Sequence, residues 1–183
     1  RGLGDVYKRQ EYIYIQDSGK QTITTKGMKA EIRCVEKNAF RTVVEICHEM
    51  MIPSGMGEEL QRQREMCIDP YTRVANRSKE LVPMEVKTVL TLEKSGKGLH
   101  VATTICNQAK DHRVRVVMPT GLNTSTHLAD SAFEVVKRNN RHNDTWTNPC
   151  GCERQQCFAA MEDETNGLLV ANRGLYEYEV LAD

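Results

Sequence analysis

The segment "EVKTVLTLEKSGKGLHVATTIC", Glu85 to Cys106, constrains the fold more than any other stretch. Val86, Thr88, Leu90 and Leu92 fall on one side of the chain, and Lys87, Val89 and Thr91 on the other. Successive side chains of a strand point to opposite faces, so a period of two belongs to β-structure and not to a helix. "SGKG" interrupts the pattern with turn residues, and Leu99, Val101, Thr103 and Ile105 then resume it. The two runs predict a long antiparallel hairpin.

The same period recurs along the chain. "EYIYIQ" reads as a short strand closed by the turn residues Asp17, Ser18 and Gly19. "KAEIRCVEK" alternates Ala30, Ile32 and Cys34 with Glu31, Arg33 and Val35. "RTVVEICHEM" is a β-branched run whose hairpin partner precedes it across Lys37 to Phe40. "HRVRVVMP" sets Val114, Val116 and Met118 against Arg113, Arg115 and Val117. "CFAAMED", "GLLVANRG" and "YEYEVLAD" supply three further strands, separated by "ETNG" and "RGL". One segment is built from good helix formers, "GEELQRQREM", Gly57 to Met66. Its apolar residues are Leu60 and Met66, so it reads as a solvated excursion between strands. Roughly nine or ten short strands with turns between them imply an all-β, antiparallel β-sandwich.

Size and charge exclude several classes. A chain of 183 residues is long enough for one domain that buries about 70% of its unfolded surface, and short for two independent cores. Lys plus Arg and Asp plus Glu number 25 each, so there is no basic field to attract nucleic acid, and no nucleic-acid partner is expected. No apolar run approaches the ~18 residues of a membrane helix, so no membrane partner is expected. No signal peptide is visible, and a cytoplasmic location is the expectation. Seven cysteines, an odd count, argue against a secreted disulfide framework. Cys34, Cys47 and Cys106 lie in strand-like runs and are expected as buried small hydrophobes. The opening "RGLGDVYKRQ", residues 1–10, reads as translated adaptor sequence and is set aside as non-native. Residues 11–183 then read as part of one domain, cut at both ends, since the chain stops at Asp183 straight after a strand-like run.

Three places could carry chemistry. In "NQAKDHRVRVVMPTG", Asp111 stands beside His112. A catalytic His needs its orienting carboxylate within hydrogen-bond reach of a ring nitrogen, and neighbours on a strand do not supply that. Asn107 and Asp111 are residues that bond their own backbone, so the pair reads as a corner. Cys150, Cys152 and Cys157 form a C-x-C-x4-C cluster with His142 nearby. Structural zinc usually takes four Cys or His ligands in C-x2-C pairs, so a cysteine-containing loop competes with a metal or redox site. "NNRHNDTW" gathers Arg141, His142, Asp144 and Trp146, a set that can stack on a sugar or simply plug the rim of the sandwich. The carboxylate pairs Asp130 with Glu134 and Glu162 with Asp163 are sequence-local. A glycosidase pair flanks a bond from separate elements ~5–9 Å apart. No phosphate loop, H-E-x-x-H or serine elbow is present.

The series "RSKELVPMEVKTVLTLEKSGKGLHV", "VATTICNQAKDHRVRVVMPTGL", "ADSAFEVVKR", "QQCFAAMED" and "GLLVANRGLYEYEV" resembles the carboxy-terminal β-domain of glycoside hydrolase family 38 α-mannosidases. The bacterial branch, which includes mannosylglycerate hydrolases, is the most similar. The resemblance covers Glu11 to Asp183 and implies a large β-sandwich of the galactose-mutarotase type. It implies a parent enzyme that hydrolyses α-mannosides with retention, using a divalent metal, zinc, held by an amino-terminal catalytic domain. The motifs of that domain are absent here, so no catalytic or metal-ligating residue is expected in this chain. The implied partners are an α-mannoside and the protein's own catalytic domain, with a homo-oligomer left open. An Arg-Gly segment of the family's β-domain faces the cleft, and Asn172, Arg173 and Gly174 are the candidate match. Asn172 and Arg173 are therefore the candidate substrate-binding residues. Two rivals stand beside this reading. One is a carbohydrate-binding module using Trp146, Arg141 and His142. The other is a mutarotase-like epimerase using His142 and Glu177.

Overall fold

A computed structural model describes residues 3–6, 22–70, 72–141, 145 and 152–181. In chain order the elements are β1 (Leu3–Val6), β2 (Glu31–Lys37), β3 (Arg41–Pro53), α1 (Glu58–Glu65), β4 (Leu81–Glu93), β5 (His100–Cys106), β6 (His112–Val114), β7 (Thr126–Asp130), β8 (Val135–Asn139), β9 (Cys152–Arg154), β10 (Phe158–Glu162), β11 (Gly167–Ala171) and β12 (Glu177–Glu179). Every pairing is antiparallel, as the alternation predicts. Length alone favoured one core, but the chain divides into two compact units, Arg1–Val117 and Met118–Asp183.

The first unit is built on a four-stranded meander in the order β2-β3-β4-β5. The predicted hairpin is its second half, with Val86 opposite Ile105, Thr88 opposite Thr103 and Leu90 opposite Val101. The hairpin between β2 and β3 turns at Asn38, whose Oδ1 accepts the main-chain N–H groups of Phe40 and Arg41 at 2.8 and 2.9 Å. Glu36 and Arg41 close the same turn with an ion pair at 2.6 Å. The parity of β3 and β4 sorts the two faces. Met50, Ile52, Met84 and Val86 form a buried core with Ala109. On the opposite face Glu45 accepts from both Arg33 and Lys87 across the strands. Those cations hold the Glu45 carboxyl below its usual range.

The core covers one end of the apolar face only. Ile32, Leu92 and Val101 at the other end are all more than half exposed. This corrects the expectation for the cysteines. Cys34 and Cys106 are exposed and Cys47 is half-buried. Cys34 and Cys106 lie on β2 and β5, the edge strands of the sheet, which have a neighbour on one side only.

Two further readings change. "HRVRVVMP" forms only the three residues of β6, which pair with β1. Residues 115–120 have no regular structure, and Val116 is exposed. The helix spans Glu58–Glu65 as expected, but it is anchored: Leu60 is buried and Gln63 Nε2 donates to the Val74 carbonyl at 2.7 Å. The strand expected in "EYIYIQ" lies outside the described residues. Among the described residues no helix is long and apolar enough to cross a membrane.

The second unit holds a four-stranded sheet, β11-β10-β7-β8, and a two-stranded ribbon, β12-β9. Two hairpins, β7–β8 and β10–β11, join through Ala159 and Ala160 against Ala129 and Leu128. Ala129 is fully buried there, and small residues let the strands approach closely.

Candidate functional site

Arg173 and Asn172 sit in the turn between β11 and β12. Gly174 carries φ +90°, a conformation that L side chains rarely adopt, with open space where a Cβ would stand. The glycine is therefore required by the backbone and not by crowding. Asn172 shapes the turn: its Oδ1 accepts the Leu175 N–H at 3.2 Å, and its own N–H donates to the Cys157 carbonyl at 2.8 Å. Buried Gln155 holds the far side, its main-chain N–H on the Tyr176 carbonyl at 3.0 Å and its Nε2 on the Leu175 carbonyl at 3.2 Å. Arg173 is exposed on this pinned turn.

Directly after the turn, Tyr178 on β12 enters a buried polar cluster. Its hydroxyl lies 2.7 Å from Nε2 of His127 on β7, 2.9 Å from Oε2 of Glu153 on β9 and 2.9 Å from Arg138 on β8. His127 is only 3% exposed. Its Nδ1 faces Asn140 Oδ1 at 2.9 Å, and Asn140 Nδ2 donates to the Thr124 carbonyl at 2.7 Å. That second bond fixes the amide orientation, so His127 Nδ1 carries a proton and donates it. The Tyr178 hydroxyl donates to Glu153 Oε2, and His127 Nε2 lies 2.7 Å from the same hydroxyl oxygen. Arg138 donates to Glu153 Oε2 at 2.9 Å and to the Arg154 carbonyl at 2.8 Å. Burial, reinforced by the carboxylate of Glu153 and opposed by Arg138, pushes the Tyr178 phenol up to about 12. Against its own desolvation, Arg138 is held above its usual value by Tyr178 and Glu153. The cluster ties four strands to one another.

The other described candidates lie in turns and strands. Asp111 lies at φ +55°, at the bend between β5 and β6, and Asn107 Oδ1 accepts the Ala109 N–H at 3.0 Å. His112 Nδ1 meets the Lys110 carbonyl at 3.2 Å. The pair is a corner. Asp130 accepts the Cys157 N–H, and Asp163 accepts main-chain N–H groups of Thr165 and Asn166, which lower its pKa. Glu177 pairs with Arg154 in the β12–β9 ribbon. Cys150, His142, Asp144 and Trp146 lie outside the described residues, while Cys152 is half-buried and Cys157 exposed. Among the described residues no three His, Cys, Asp or Glu side chains are placed to hold a metal ion, so the implied zinc finds no fit in them.

The buried cluster escaped sequence reasoning. Its one local signal is parity: "THLAD" puts His127 and Ala129 on the same face, so a histidine on an inward face needed partners. Those partners are up to 51 positions away.

Residues 5–183 match the model of the glycosyl hydrolases family 38 C-terminal domain. The chain is 36% identical over 99% of its length to a "Putative mannosylglycerate hydrolase" of Halalkalibacterium halodurans, covering 20% of that protein. It superposes on the crystal structure of an alpha-mannosidase from Enterococcus faecalis V583 with TM-score 0.89 and 39% identity, over 99% of this chain and 20% of that one. A second Enterococcus faecalis structure, a protein in glycosyl hydrolase family 38, gives TM-score 0.86 and 38% identity, over 99% and 21%. The chain thus spans about a fifth of the length of these relatives. It belongs to the glycosyl hydrolase family 38 C-terminal domain family.

Proposed function

We propose that this chain is the β-domain of an α-mannosidase that hydrolyses α-mannosides with retention, and that it lines the cleft without performing the chemistry. The observation that carries the reading is the likeness, over 99% of the chain, to an alpha-mannosidase structure five times its length. In this reading the nucleophile and a zinc ion belong to a catalytic domain elsewhere in the protein, and the apolar end of the β2-β3-β4-β5 sheet packs on that domain. Arg173 supplies the contact with substrate. An exposed guanidinium on a fixed turn presents several N–H donors in a planar fork, suited to vicinal hydroxyls or to a neighbouring carboxylate. Asn172 supports it by fixing the turn.

The test compares the isolated chain with the full-length protein on an aryl α-mannoside and on mannosylglycerate. The chain alone is expected to give no turnover. The full-length protein is expected to turn over one of them, to lose activity to a chelator and to regain it with zinc. Turnover by the chain alone would sink the division of labour, and full-length protein inert on both would sink the activity.

A further inference from the structure

The β12–β9 ribbon is three residues long and has two strands, which by itself is marginal in water. Yet β12 carries the end of the Arg173 turn. What holds it is the side chain of Tyr178, whose hydroxyl is shared by β7, β8 and β9 through His127, Arg138 and Glu153. We propose that Tyr178, with His127 and Glu153 behind it, is a positioning residue for Arg173: it fixes β12, and so the turn, in the place where the guanidinium meets the sugar. The inference rests on the reading of Arg173 as a substrate contact. Tyr178 itself touches no substrate in this arrangement. It acts through the backbone, Gln155 and Asn172 being the other two points that hold the same turn.

The chemistry argues for this role over a general one. A buried histidine with both nitrogens engaged is not free to shuttle protons to solvent. A hydroxyl that accepts from Arg138 and donates to the Glu153 carboxylate, with His127 against the same oxygen, has one good orientation, so the ring that bears it has one good place.

The test is a double-mutant cycle in the full-length protein with an aryl α-mannoside, using Tyr178→Phe, Arg173→Ala and both together. Arg173→Ala is expected to raise KM. Tyr178→Phe, which keeps the ring and removes the hub, is expected to raise KM about tenfold with kcat changed less than about twofold, as for loss of uniform binding. In the Arg173→Ala background the same substitution is expected to change KM less than about twofold, since it has nothing left to position. An equal effect in both backgrounds, or none in the first, would overturn the positioning role and leave the Arg173 reading intact. Unchanged KM in Arg173→Ala would overturn that reading and the positioning role with it. If Tyr178→Phe does not fold, Glu153→Gln takes its place in the same cycle, because it keeps the shape and removes the charge.

Discussion

Tyr178 is the residue whose titration should be felt by the fold. Its phenol is raised from 10.0 to about 12, first by burial and then by Glu153. An acid whose folded pKa lies above its unfolded one holds its proton more tightly in the native state. The stability it contributes is complete below about pH 10 and is lost as pH rises through about 12. Urea midpoints followed from pH 8 upward should therefore fall more steeply for the wild type than for Tyr178→Phe, and parallel curves would contradict this. At neutral pH the same substitution strands partners that now share its hydroxyl, at a cost of about 1–3 kcal/mol. Glu45 sets the acid side. Its carboxyl is lowered first by Lys87 and Arg33, so its contribution is present above its ordinary value near 4.5 and is lost as pH falls through the folded pKa. Glu45→Gln should flatten the acid limb of the stability curve, read by the same urea titration. An acid limb as steep in Glu45→Gln as in the wild type would count against it.

Strand β4 shows what a sequence discloses about an element and what it withholds. The period of two placed Val86, Thr88, Leu90 and Leu92 on one face, and the register with β3 agrees, setting them opposite His48, Ile46, Val44 and Thr42. Parity cannot say which part of that face is covered. Met84 is fully buried against Met50, while Leu92, eight positions on along the same face, is 54% exposed. Met84→Ala should cost about 2–5 kcal/mol, the range for truncating a buried long side chain. Leu92→Ala in the isolated chain should stay within about 0.5 kcal/mol, as for a surface site. Denaturant unfolding of both variants checks the contrast, and similar losses would mean the face is evenly packed. Cys34 and Cys106 were read as buried from their neighbours in sequence; Cys34 lies opposite Val44 on the uncovered part of the apolar face, and Cys106 lies opposite Glu85 on the other face. The turn at Asn172 was legible as local chemistry, since Asn and Gly at such positions shape a turn whatever the fold. The His127 cluster was not, because each partner is an ordinary strand residue until the sheets bring them together.

For the whole molecule, the uncovered end of the β2-β3-β4-β5 sheet decides what the chain needs around it. Ile32, Leu92 and Val101 share one face and are 54–65% exposed. Exposed apolar side chains on one sheet face mark an interaction surface or an aggregation liability. In the proposed enzyme the catalytic domain covers them, and covering one such side chain contributes about 1.5–3 kcal/mol. The two situations predict opposite responses to Val101→Lys. In the isolated chain the lysine breaks up an exposed patch, so association measured by sedimentation should weaken and folding stability should change little. In the full-length protein it would bury a charge against the neighbouring domain, so the melting temperature should fall and the protein should become easier to cleave between domains. A full-length protein that tolerates Val101→Lys unchanged would leave this face open to solvent there too. If it were equally stable but smaller by sedimentation, a second copy, and not the catalytic domain, would be what covers the sheet.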